Sequence, residues 1–199
     1  SANEPESKFR RVHYDYIIGN PPFVGARMMA QGSSQKKDVE NLFGKIKDVQ
    51  DLDYVCCWYK KAAQLLQNSH TRACFVSTNS ICQGAQVPIL WNVLLNDFHV
   101  HINFAYQTFK WNSEASEKAA VHCVIIGFST VEAKDKYLFT SSGQMQQVSS
   151  ISPYLFEGDD TFAVSQKTPL CDVPQMNFGN QPRDGGHFVL SEEEKESLI

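Results

Sequence analysis

Apolar positions in this 199-residue chain recur in two periods, and the switches between them lay out an alternating order of strands and helices. Tyr14 to Gly19 is a short β-rich run that ends at Asn20-Pro21-Pro22. Proline has no N–H for a sheet ladder, so the motif must lie on the loop leaving that strand. Between Gln35 and Gln50, residues Val39, Leu42, Phe43, Ile46 and Val49 stand at helical spacing and predict a first helix. A longer stripe follows in Leu52, Val55, Cys56, Tyr59, Ala62, Ala63 and Leu66, and Asn68-Ser69-His70 closes it. Ala73 to Thr78 reads as a buried strand, and the order strand, helix, strand makes a parallel sheet with right-handed crossovers the natural arrangement. Pro88 is expected to open a further helix carrying Ile89, Leu90, Val93 and Leu94.

The period then drops to two. Val100, Ile102, Phe104 and Tyr106 alternate with His99, His101, Asn103 and Ala105, which predicts a half-buried strand. Its partner is the apolar run Ala119 to Phe128, joined through the polar stretch Asn112 to Lys118, so the sheet is expected to end in an antiparallel hairpin. Lys134 to Thr140 suits one more short strand. From Ser141 to Gly186 the chain is rich in Ser, Gln, Gly and Pro, as in an arm wrapping the domain or the start of a second one, and its scattered apolar residues argue for packing. Ser191 with Glu194 forms a capping box for a last short helix. The expected division is a catalytic part over residues 1–140 and an arm over 141–199.

Composition narrows the class. The hydrophobic and charged fractions, 42% and 20%, are those of an ordinary globular protein. No apolar segment approaches the roughly 18 residues of a membrane helix and the polar start is no signal peptide, which points to a cytoplasmic protein without a membrane partner. A formal charge of -4 is the wrong sign for a chain that grips nucleic acid strongly by itself. Most phosphate contacts would then come from elsewhere. The six cysteines include no CxxC pair, and several sit in apolar runs, as expected of buried free thiols.

The chemistry concentrates at Asn20-Pro21-Pro22-Phe23. An exocyclic amino nitrogen on a base is a poor nucleophile because its lone pair is delocalised into the ring. Two acceptors aimed at its hydrogens relieve this, and the Asn20 side-chain oxygen and the Pro21 carbonyl can serve, with the prolines fixing the backbone. A base in a duplex must first leave the stack to reach such a loop. Phe23 is placed to stack one of its faces, and Phe109-Lys110-Trp111 is a candidate for the other face and for DNA contact. This pattern reads as adenine methylation. The alternatives stay open: an Asn-Pro-Pro turn can be only a turn, and Lys36, Lys37, Lys45 and Lys47 can contact phosphate or simply line a solvated helix face. His99 and His101 would share a strand face without a third ligand, His122 reads as a core histidine, and Trp58 and Trp91 as packing residues.

Taken together, Asp15 to Gly25, Leu52 to Val55, Phe75 to Ser80, Gln86 to Trp91, His101 to Tyr106, Phe109 to Trp111, Ala119 to Phe128, Pro169 to Pro174 and Gly185-Gly186-His187 resemble the amino-group DNA methyltransferases of the NPP[FY] type. More narrowly, they resemble the single-chain type II restriction-modification enzymes that fuse nuclease, methyltransferase and target recognition. The resemblance implies an α/β fold, the C-terminal half of a Rossmann-like seven-stranded sheet dependent on S-adenosylmethionine, with the Tyr14, Ala73, Val100 and Ala119 strands as its fourth to seventh. It also implies double-stranded DNA as the partner. The glycine-rich donor-binding loop of the family is expected before the Tyr14 strand, and residues 1–13 contain none, so Asn20 and the end of the Ala73 strand are the expected donor contacts and the isolated chain is expected to be inactive. The open edge near Tyr14 to Ile18 would invite pairing with a second copy. Alternatives are a protein-glutamine or RNA amino methyltransferase, and a non-catalytic module that binds DNA or a partner.

Overall fold

The computed structural model describes residues 14–111, 121–164, 166, 168–169, 171–174 and 191–198. The expected connection Asn112 to Lys118 and the segment Gly185-Gly186-His187 lie outside them. The chain divides into two units, Ser1–Ser165 and Gln166–Ile199.

The first unit is built on six strands, β1 Tyr16–Gly19, β2 Arg72–Thr78, β3 His101–Trp111, β4 Val121–Ser129, β5 Lys136–Phe139 and β6 Met145–Val148, in the spatial order β1-β2-β4-β3-β5-β6. β1 and β2 are parallel, while β4 enters between β2 and β3 and runs against both. The expected hairpin of β3 and β4 is present, and the sheet continues past it: β5 adds parallel to β3 and β6 returns antiparallel. Val148, Ile151 and Leu155 belong to the buried core, so the start of the Ser141 to Gly186 stretch packs on the sheet.

The helices are α1 Ser34–Phe43, α2 Cys56–Leu66 and α3 Gln86–Asn92, the last running into a π turn at Val93–Asp97. Three boundaries differ from the periodic pattern. α1 stops well short of Gln50 because Gly44, at φ 69°, caps it with its N–H on the Glu40 carbonyl at 2.8 Å. α2 begins at Cys56 rather than Leu52: Leu52 is extended, and the Asp53 N–H is drawn to the Gln86 side chain at 2.9 Å. α3 opens two residues ahead of Pro88. His99 is not on β3 beside His101; it has a left-handed backbone, φ 51°, in the turn before the strand. His122 is exposed rather than a core residue, because the buried part of β4 starts at Cys123.

α2 buries Cys56, Cys57, Tyr59, Ala62, Ala63 and Leu66 in the core. Tyr59 stacks on Phe128 at 5.2 Å and meets Phe75 and Trp91 edge-on at 5.3 and 6.1 Å. Its hydroxyl pairs with that of Ser77 on β2 at 2.7 Å, and both residues are fully buried. Trp91 is a packing residue as expected, its indole N–H donating to the Ile81 carbonyl at 2.8 Å. In the second unit, the Ser191 and Glu194 capping box opens α4, Glu192–Leu198. No helix among the described residues is long and apolar enough to cross a membrane.

Candidate active site at the carboxyl edge of the sheet

β1, β2 and β3 all run in one direction, so the ends of all three strands open at one edge of the sheet. In open α/β sheets this carboxyl edge is where ligands bind. β1 delivers Asn20 to Phe23 there. Gly19 packs closely on the neighbouring strand: a Cβ at that position would lie 3.2 Å from two ring carbons of Phe75, which would have to shift by a few tenths of an ångström. The prolines then end the strand, with Pro21 buried, Pro22 and Asn20 exposed, and Phe23 half-buried.

The loop is fastened just beyond the motif. The Tyr54 N–H donates to the Val24 carbonyl at 2.9 Å, and the Ala26 N–H donates to the Asp53 carboxylate at 2.7 Å. A single helical turn, Ala26–Met28, follows. Asp53 is itself buried and accepts a second hydrogen bond from the Ser80 hydroxyl, on the segment that leaves β2. Ser80 in turn lies 2.8 Å from the Thr78 hydroxyl. Thus one side chain links the loops after both parallel strands. Beside it opens a cavity of about 480 Å³ lined by Gly25, Arg27, Asp53, Ser80, Gln83 and Gln86 among others.

Thiol chemistry at this edge is disfavoured by burial. Burial pushes the Cys57 and Cys82 thiols up to about 12, and raises Cys56 well above the ordinary thiol value. A protonated thiol is a weak nucleophile. Lys36 is half-buried and donates to the Gln50 carbonyl at 2.9 Å, a structural engagement, whereas Lys37, Lys45 and Lys47 are exposed. Trp58 is half-buried against Tyr54 and lines a separate cavity of about 540 Å³.

Phe109, Lys110 and Trp111 end β3, paired with Cys123, His122 and Val121. Phe109 is half-buried, Lys110 and Trp111 are exposed, and the two rings lie 6.3 Å apart at 44°. A register shift between Tyr106 and Phe109 re-aims this end of the strand, a feature frequent beside functional sites. The structure therefore brings the second aromatic cluster to the same edge as Asn20. It does not bring the two together: β2 and β4 intervene, a lateral separation of roughly 14 Å at ordinary strand spacing. Sequence reasoning assigned no role to Asp53, Ser80 or Gln86. The available signal was an acidic residue interrupting the first apolar turn of the expected helix.

Comparison with known proteins agrees with this architecture. The solved structure of the type IIL restriction-modification enzyme MmeI in complex with DNA superposes with a TM-score of 0.85 at 44% identity, over 92% of this chain and 25% of that one. A curated relative, DNA methyltransferase A of Bacillus subtilis (strain 168), is 42% identical over 177 residues. The chain spans 20% of that relative's length. Residues 157–199 match the family model of the MmeI target recognition domain. Residues 2–140, well over half of the chain and including every strand and helix of the edge just described, match the MmeI DNA-methyltransferase domain, and the chain belongs to that family.

Proposed function

We propose that this chain is the base-gripping half of a DNA methyltransferase that transfers a methyl group from S-adenosylmethionine to the exocyclic amino nitrogen of adenine, within a restriction-modification protein. The observation that carries the reading is the Asn20 loop: an exposed amide between two fixed points, Gly19 packed on Phe75 and Ala26 held by Asp53, at the carboxyl edge of parallel strands. Family membership supports methyl transfer to DNA. The two acceptors of the loop suit an exocyclic amino group, and adenine is the base that the resemblance to the NPP[FY] type implies.

Among the described residues, those at this edge fit one side of a donor site. Asn20 and the segment from Thr78 to Cys82 reach the edge where a donor would meet the base, and no further cradle is assigned to these residues. When bound, S-adenosylmethionine supplies an already activated methyl group, so the work left to this chain is positioning. Asn20 accepts a hydrogen bond from one amino N–H and the Pro21 carbonyl from the other, which favours a pyramidal nitrogen and takes its lone pair out of conjugation with the ring. The prolines hold both acceptors at fixed angles, sparing reorganisation at the moment of transfer. Phe23 stacks the extrahelical base, at about 1–3 kcal/mol for a base on an aromatic ring. Phe109 and Trp111, at the same edge, are the aromatics offered for its other face and Lys110 for phosphate; because a base held between two rings needs them only about 7 Å apart, side chains must reach inward across the roughly 14 Å between the strand ends.

In this reading residues 1–140 form the catalytic part and 141–199 lead toward target recognition. The partner is double-stranded DNA, and the net charge of -4 assigns most phosphate contacts to residues beyond this chain. The test is methyl transfer by the full-length protein to DNA, RNA and protein acceptors side by side. Labelling of DNA alone is expected, and loss of that labelling in Asn20→Ala with the fold retained. Labelling of a protein or RNA acceptor instead would replace the proposal with the corresponding alternative.

A further inference from the structure

We infer that Asp53 is a positioning residue for methyl transfer, a clasp that sets the Asn20 loop against the segment leaving β2; the inference rests on the function proposed above. Three chain segments distant in sequence converge on this one residue. Its carboxylate accepts from the Ala26 N–H at 2.7 Å, six residues beyond Asn20, and from the Ser80 hydroxyl. Its own N–H donates to Gln86 Oε1 at 2.9 Å at the start of α3. Tyr54, next in the chain, donates its N–H to the Val24 carbonyl, so the loop is gripped at two alternate residues.

Geometry distinguishes this from ordinary packing. Asp53 is 7% exposed, in a class of residue rarely buried without a function for its charge or full pairing. Both partners of its carboxylate belong to the single helical turns that follow β1 and β2 at the carboxyl edge, Ala26–Met28 and Asn79–Cys82, rather than to the sheet or to α1, α2 or α3. A carboxylate also makes shorter and stiffer bonds to such donors than a neutral acceptor does. Without the clasp the loop beyond the motif would keep only the Tyr54–Val24 backbone bond and lose its link to the segment leaving β2. Misplacement of a reacting group by about 1 Å costs on the order of 100-fold in rate, which sets the scale of the expected effect.

The experiment compares Asp53→Ala, Asp53→Asn and Ser80→Ala in the full-length protein, with kcat and KM for DNA measured at saturating S-adenosylmethionine. Asp53→Ala is expected to lower kcat by about 100-fold with KM changed by less than about threefold. Asn has an oxygen for Ala26 and an amide hydrogen for Ser80, so Asp53→Asn is expected to recover at least about tenfold of that loss. Ser80→Ala, which breaks one of the two bonds, is expected to fall between. Hydrogen exchange of the amides from Val24 to Met28, read without any substrate, should quicken about tenfold in Asp53→Ala while those of β2 do not change. The inference is overturned if Asp53→Ala keeps kcat within about threefold, if the loss lies wholly in KM, or if the folded Asp53→Asn is as slow as Asp53→Ala. Should Asp53→Ala not fold, Ser80→Ala decides by its kcat. If the unmodified protein transfers no methyl group to DNA the proposed function fails, and the exchange comparison still tests the clasp.

Discussion

The hydrogen bond between Tyr59 and Ser77 anchors α2 to β2 directly beneath the candidate site, and removing it from either side should show how the sheet supports that edge. Both residues are 0% exposed and their hydroxyl oxygens are 2.7 Å apart. Tyr59→Phe keeps the ring and its contacts with Phe128, Phe75 and Trp91, and leaves the Ser77 hydroxyl buried without a partner. Ser77→Ala strands the tyrosine hydroxyl in the same way. An orphaned buried hydroxyl costs about 1–3 kcal/mol, whereas replacing both partners by apolar groups of similar shape is close to neutral. Each single variant should therefore lose about 1–3 kcal/mol, roughly 2–12 °C in midpoint for a chain of this size. The double variant should lose clearly less than the sum. Urea unfolding followed by circular dichroism gives the four free energies of the cycle. Strictly additive losses would refute the reasoning, because they would mean that the two hydroxyls share no bond.

Alkaline stability follows from the buried thiols: burial holds the Cys82 thiol near 12 against an ordinary 9.0, so its contribution is whole below pH 9 and is lost as pH rises toward 12. That is at most about 4 kcal/mol, at roughly 1.4 kcal/mol per unit, and Cys82→Ala should flatten the decline of unfolding free energy above pH 9; superimposable slopes would contradict it. A separate expectation concerns the edge of the sheet. Among the described residues β1 is paired on one side only, and Tyr16 and Ile18 are 64% and 78% exposed. The isolated chain is expected to self-associate through that edge, and Ile18→Lys to weaken the association; light scattering showing an unchanged monomer at high concentration would rule this out.

Much of the fold was legible because its elements are bounded by local chemistry. Asn20-Pro21-Pro22 ends β1 as expected, and the alternating run does lie on β3, but a register shift between Ile102 and Phe104 buries Ala105 and leaves Phe104 and Tyr106 half-buried, which the period-2 pattern did not foresee. The misread boundaries share a cause. Leu52 fits the apolar stripe of α2 by spacing, yet the residue after it spends its N–H on Gln86, 33 positions away. His99 fits the strand alternation, but the turn preceding β3 places it in a left-handed conformation. Periodicity records which face is buried and cannot record a distant hydrogen bond. The same limit applies to the site: Asn20 to Phe23 stand together in sequence and were found, whereas Asp53 acquires its meaning from Ala26 and Ser80, each 27 residues from it.

The central claim is that the Asn20 loop presents the amino group of adenine for methyl transfer. It is tested most directly by digesting DNA treated with the full-length protein and S-adenosylmethionine to nucleosides and identifying the methylated one by mass spectrometry. The account predicts N6-methyldeoxyadenosine from the unmodified protein and none from Asn20→Ala, with DNA binding retained in both. A methylated cytosine, or undiminished N6-methyldeoxyadenosine from Asn20→Ala, would contradict it.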